Sequence, residues 1–181
     1  MPRQIAFLRA INVGGHTVTM ERLRELFGEL GLKDVETFIA SGNVIFRSAS
    51  RATGLESKIE RHLHKALGYE VHTFIRSEAE VAAIAAYKPF RTVPADFAGA
   101  MVVGFLRGPL DTPTTEAVLA LKTAIDDLHV NGREIYWRTA GGQSDSKLTN
   151  ALFERTLKGR ATFRNINTVV RLAARYPAKG T

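Results

Sequence analysis

The chain has 181 residues, with 25 Lys/Arg against 18 Asp/Glu for a net charge of +7, and 45% of it is hydrophobic. That balance belongs to a globular protein and excludes disordered and fibrous classes. Cysteine is absent, which excludes disulfide frameworks, thiolate zinc sites, iron–sulfur clusters and cysteine nucleophiles together. Arg3 interrupts the start and no long apolar run follows, so neither a signal peptide nor a membrane span is expected, and the expected location is the cytoplasm.

Residues 3–11 are an apolar, β-rich run, with Ile5, Phe7 and Ile11 expected on one face and Ala6, Leu8 and Ala10 on the other. Apart from Arg9, neither face is polar. A half-exposed antiparallel strand alternates, so both faces are expected to be covered. Gly14 and Gly15 follow, and Thr19 is the expected N-cap of a helix carrying Met20, Leu23, Phe27 and Leu30, closed by Gly31. Residues 35–40 and 44–47 read as strands joined by Ser41-Gly42-Asn43. Thr53 and Glu56 have the spacing of a capping box, opening a helix with Leu55, Ile59, Leu63 and Ala66 on one side. Residues 70–76 read as a fourth strand. The order β-α-β-β-α-β is the ferredoxin-like split unit.

Ser77 and Glu80 form a second capping-box pattern, opening a short Ala-rich helix that ends near Tyr87. Residues 88–96, with Pro89 and Pro94, read as a connector between an N-terminal half (1–87) and a C-terminal half (97–181). Residues 100–106 read as a strand. Thr112 is the expected N-cap of a helix with Pro113 at its first position and Val118, Leu121 and Ile125 along it. Asn131-Gly132 predicts a type I′ hairpin. No final strand is legible after it; two helices, near 147–158 and 167–176, close the chain before Pro177. The fold class expected is therefore α+β, with a complete ferredoxin-like N-terminal half and a modified C-terminal half ending in two helices.

Charge is unevenly placed. Residues 141–181 hold eight Lys/Arg (Lys147, Arg155, Lys158, Arg160, Arg164, Arg171, Arg175, Lys179) against Asp145 and Glu154, a net of +6. Such a segment attracts polyanions, of which nucleic acid is the commonest; a solvated basic face on the last helices is the competing account.

Two constellations carry chemistry. In a β-α-β-β-α-β unit the loop of residues 12–19 and the hairpin of residues 41–43 leave the sheet at the same end. Asn12, Gly14, Gly15, Ser41 and Asn43 then offer backbone amides and amide side chains next to a helix N-terminus, a setting suited to an anion; ordinary turn chemistry accounts for the same residues. The glycines match neither nucleotide fingerprint. The second constellation runs from Gly141 to Asn150 and from Arg164 to Thr168. Helix capping by Ser146 and by Asn165 or Asn167 explains part of it, and leaves Lys147, Asn150 and Arg164 for an anion or nucleotide pocket. His62 and His64 lie two apart on one helix and face apart, so no metal site is expected, and no cofactor. Asp126-Asp127 reads as solvated surface, and Phe7 and Phe46 as core residues.

Five blocks in order, Leu8-Arg-Ala-Ile-Asn-Val-Gly-Gly15, Met20 with Leu23-Arg24, Ser41-Gly-Asn-Val-Ile-Phe46, Ser146-Lys-Leu-Thr-Asn150 and Arg164-Asn-Ile-Asn-Thr168, resemble the bacterial family catalogued as domain of unknown function 1697. Ala10 and Ile166 depart from its pattern, standing where Gly and Trp are expected. The resemblance implies two ferredoxin-like halves and no established activity. The function expected from the residues is a binding module for nucleic acid or a nucleotide- or phosphate-like anion, at the ten positions Asn12, Gly14, Gly15, Ser41, Asn43, Lys147, Asn150, Arg164, Asn165 and Asn167. The alternative is an enzyme acting on a small phosphorylated or acyl-phosphate substrate, with Asn12, Gly14, Gly15 and Asn43 as oxyanion donors; a structural or oligomeric partner protein is the third reading.

Overall fold

The computed structural model describes residues 1–39 and 42–178. The chain divides into two compact units, one formed by Met1–Ala83 with the segment beginning at Leu172, the other by Ile84–Arg171. In the first, β1 (Arg3–Leu8), α1 (Met20–Glu29), β2 (Lys33–Thr37), β3 (Asn43–Arg47), α2 (Ala52–Leu67) and β4 (Thr73–Ser77) follow in order, and α3 (Glu78–Ala86) comes after them. The antiparallel sheet runs β2-β3-β1-β4. The second unit repeats this scheme with β5 (Ala100–Phe105), α4 (Thr112–Leu119), β6 (Asp126–Asn131), β7 (Glu134–Thr139), α5 (Asn150–Leu157) and β8 (Thr162–Asn165), then α6 (Ile166–Arg175). Its sheet runs β6-β7-β5-β8. Both are ferredoxin-like arrangements, and the two closing helices are α5 and α6. A final strand, unexpected from the sequence, lies between them: β8 is only four residues long and contains Arg164 and Asn165, too short and polar to give a strand signal.

Local chemistry explains most boundaries. The Thr19 hydroxyl accepts from Arg22 N–H at 3.1 Å, starting α1 as expected. Ser77 and Glu80 exchange bonds of 3.1 and 2.8 Å, a formed capping box for α3. The box expected at Thr53 and Glu56 does not form: α2 begins at Ala52 behind Arg51, without a side-chain cap. Glu56 is instead 1% exposed and accepts from Ile75 N–H at 2.8 Å, while Glu60 accepts from Thr73 N–H at 2.8 Å. Both donors lie on edge strand β4, so two carboxylates from α2 satisfy amides that would otherwise invite another strand. Glu154 of α5 accepts from Ala161 N–H just before edge strand β8.

Three further expectations shift. The N-cap of α4 is Asp111, not Thr112, because its carboxylate accepts Thr114 N–H at 2.8 Å, and the helix stops at Leu119. The hairpin pairs Asn131 with Glu134, so Gly132 (φ +56) and Arg133 are its central residues, as in a type II′ rather than a type I′ turn. Asp126 is not solvated: it is 3% exposed and accepts from Trp137 Nε1–H at 2.8 Å and the Thr123 hydroxyl at 2.6 Å. Burial opposes its negative charge, yet these hydrogen bonds prevail and hold its pKa below the ordinary value.

The helix-covered face of the first sheet buries Ala6, Leu8, Phe46 and Ile75 against Leu23, Phe27, Leu55, Ile59 and Leu63. Ile11 joins this cluster with Ala6 and Leu8 rather than Ile5 and Phe7. The strand ends at Leu8, and Ala10 has φ +57, which breaks the alternation. Ile5 and Phe7, on the other face, are buried as well. In the second unit Val102, Val118, Leu128, Ile135, Trp137, Leu148 and Phe153 form the corresponding core.

Candidate functional site

Phe7 pairs with Asn43 in the register of β1 with β3, so the loop after β1 and the hairpin before β3 leave the first sheet at one end. They touch: Leu8 N–H donates to the Gly42 carbonyl at 2.8 Å, and a Cβ on Gly42 would lie 2.8 Å from Ile11 Cγ2. Only glycine allows that approach. Asn43 is fully buried, and its Nδ2 donates to the Phe38 carbonyl at 2.9 Å. Asn12 is exposed, with Oδ1 accepting from Val18 N–H at 2.8 Å. Both amides thus shape the backbone of their own loops. Gly14 (φ +62) and Gly15 (φ +84) are exposed, and Ser41 lies outside the described residues. Tyr69, unnoticed in the sequence, anchors the loop: its hydroxyl donates to the Ile11 carbonyl at 2.8 Å, its ring stacks on His16 at 4.1 Å, and partial burial raises its pKa.

The second constellation divides. Phe163 packs with the helix-covered core, and Leu148 lies within it. Side chains alternate along a strand, so Arg164 points to the opposite face of the sheet, beside Thr162. It is 8% exposed and donates to the Thr162 hydroxyl at 2.8 Å and the Phe163 carbonyl at 2.9 Å. Burial lowers its pKa to about 10, which leaves it a cation at neutral pH. Lys147 and Asn150 are exposed on the helix side of the sheet. The helix start itself is capped by Thr149, which accepts from Leu152 N–H at 3.1 Å, and Ser146 accepts from Leu148 N–H at 3.0 Å. Asn165, exposed, accepts from the N–H of exposed Asn167 at 2.9 Å, opening α6. Lys147 and Arg164 therefore do not share one face.

Several cations are exposed on and beside α5. Arg155 and Lys158 are exposed on and just after α5, with Lys147 before it and Arg160 beyond it. The two carboxylates of this stretch are occupied. Asp145 accepts from Gly142 N–H at 2.8 Å, and Glu154 is 7% exposed and paired with Arg160 at 3.2 Å.

A cleft of about 210 Å³ in the second unit escaped the sequence. Tyr87, Phe90, Met101, Tyr136 and Ile166 are among its walls. Its elements are far apart in sequence, and residues 88–96 read as a mere connector. No group of three or more His, Asp or Glu side chains suited to a metal occurs among the described residues, and no described helix is long and apolar enough to cross a membrane.

The fold and these sites define an α+β protein of two ferredoxin-like halves. The model of the family described as "Protein of unknown function (DUF1697)" matches residues 1–136, and the chain belongs to that family. Among solved structures it is similar to the conserved bacterial protein SP0830 of Streptococcus pneumoniae, with 26% identity over 98% of this chain and 99% of that one, and a TM-score of 0.73. No curated protein matches the chain.

Proposed function

We propose that this chain is a cytoplasmic binding protein for phosphate-bearing polymers, nucleic acid above all, engaged by Lys147, Arg155, Lys158 and Arg160. One observation carries the reading: the basic excess of residues 141–181 stays at the surface. Lys147, Arg155, Lys158, Arg160, Arg171 and Arg175 are exposed, while Arg164 alone among the described cations of that stretch is buried. Exposed cations without equal opposing charge bind polyanions by releasing counterions, with little need for a shaped pocket. The enzyme reading has less support, because the amides of Asn12 and Asn43 already bind backbone groups and amides do not transfer protons.

Fluorescence anisotropy with single- and double-stranded RNA and DNA tests the proposal. Binding should weaken steeply with salt, and replacing Arg155 and Lys158 by glutamate should lower the salt slope by about one per lost phosphate contact. Absence of binding at low salt removes the proposal.

A further inference from the structure

We propose that the cleft in the second unit is a binding site for a small planar aromatic acid, of the size of benzoate or a bicyclic relative. Its walls come from the end of α3 and the residues after it (Tyr87, Phe90), from β5 and β7 (Met101, Tyr136) and from one side of α6 (Ile166, Val170). An apolar protein cavity of about 150 Å³ holds benzene, so a cleft of about 210 Å³ accommodates a ring with a substituent.

The cleft is held open by groups outside it. Tyr87 hydrogen-bonds His129 Nε2 at 2.9 Å, and its ring lies 5.0 Å from that of Tyr136, which fixes two aromatic walls. Phe90 lies under the Arg138 guanidinium at 4.7 Å, and Arg138 also donates to the Thr92 carbonyl at 2.7 Å and pairs with Asp127 at 3.4 Å. These bonds tie down the proline-containing segment that forms one wall. A wall ordered before the ligand arrives lowers the entropy cost of binding.

Charge selects the occupant. Among the described residues, Lys88 is the only charged one lining the cleft, and it is exposed. An apolar, aromatic lining with one cationic side chain suits a flat apolar ring that carries one negative group.

The chain contains three methionines, Met1, Met20 and Met101, of which only Met101 lines the cleft. Titrating ¹³C-methyl-methionine protein with benzoate should therefore move the Met101 resonance saturably and leave those of Met1 and Met20 in place. Benzyl alcohol, the neutral analogue, should bind about three- to fivefold more weakly, and Lys88→Met should erase that difference. Ile166→Trp, which fills the cleft from its half-exposed wall, should abolish the Met101 shift, with Val170→Phe as the second filling variant. A Met101 resonance unmoved at millimolar benzoate, three resonances drifting together, or binding undiminished in a folded filling variant overturns the site. Equal affinity for the acid and the alcohol overturns the anionic ligand.

Discussion

The two halves run through the same elements in the same order, yet fill their interiors differently. Ile5 lies opposite Arg76 in one sheet and Val103 opposite Arg164 in the other, which makes Ala6 and Ile75 the counterparts of Gly104 and Phe163. The first half places a small residue against a branched aliphatic one. The second removes the Cβ altogether, and a ring takes the space: a Cβ on Gly104 would lie 2.5 Å from Phe163 Cε1. Phe163 then stacks near Phe153 at 4.9 Å, and Phe153 near Trp137 at 5.7 Å. The helices differ to match, α2 having sixteen residues with Leu55, Ile59 and Leu63 inward, and α5 only eight. Strand order is kept because backbone pairing is indifferent to side-chain volume, whereas dense packing must be satisfied residue by residue. The buried arginines are shared: each donates to the carbonyl of the residue before it at 2.9 Å.

That contrast is open to experiment. Phe153→Ala removes the centre of the aromatic stack and should cost about 3–5 kcal/mol, read as a fall in the denaturant midpoint; a loss below about 1 kcal/mol would show that the second core does not rest on its rings. Gly104→Ala should cost about 1–3 kcal/mol through overpacking. Adding Phe163→Ile imports the pairing of the first half, so the double variant should be more stable than additivity allows; strict additivity would break the equivalence drawn between the halves.

Asp126→Asn should cost about 1–3 kcal/mol at neutral pH, since the Trp137 and Thr123 bonds are made to a charged acceptor. The folded pKa lies below the ordinary value, so this stability is present above about pH 4 and is lost as pH falls through the lowered pKa. Urea titrations of the two proteins should converge in acid, and a gap that widens there would refute the assignment. The smallest effect is expected at Ala10, whose φ of +57 strains a residue with a Cβ. Ala10→Gly should stabilise the first half by about 0.5–1 kcal/mol, the relief of strain less the greater freedom of an unfolded glycine. It is also the residue that the family resemblance expects there, and a melting temperature that falls would sever the two observations.

The first half was legible because its signals are local: the continuous apolar, β-rich run that begins β1, the Thr19 cap, and the glycine-bearing hairpin. The second was harder to read where its signals are not. The polar four-residue β8 takes its identity from pairing with β5. The first half has one such case: Glu56 belongs to a strand amide nineteen residues away rather than to its own helix start. Among the candidate site residues, contact between the loop after β1 and the hairpin at Gly42 followed from topology, and Asn165 opens α6 as expected, whereas α5 is capped by Thr149 and not by Ser146. The direction of Arg164 did not, because a residue read as loop has no face until the strand that contains it is known.

Composition, charge placement and short-range periodicity by themselves determined the fold class, the exclusion of thiol chemistry and the basic character of residues 141–181, since each depends only on residue type and near neighbours. Tertiary structure alone decided that Asp126 and Arg164 are buried, that Phe163 replaces a missing Cβ, and that Tyr87, Met101 and Ile166 share a cleft. Those are properties of distance between segments remote in the chain, and burial exists only once such segments have excluded water from one another.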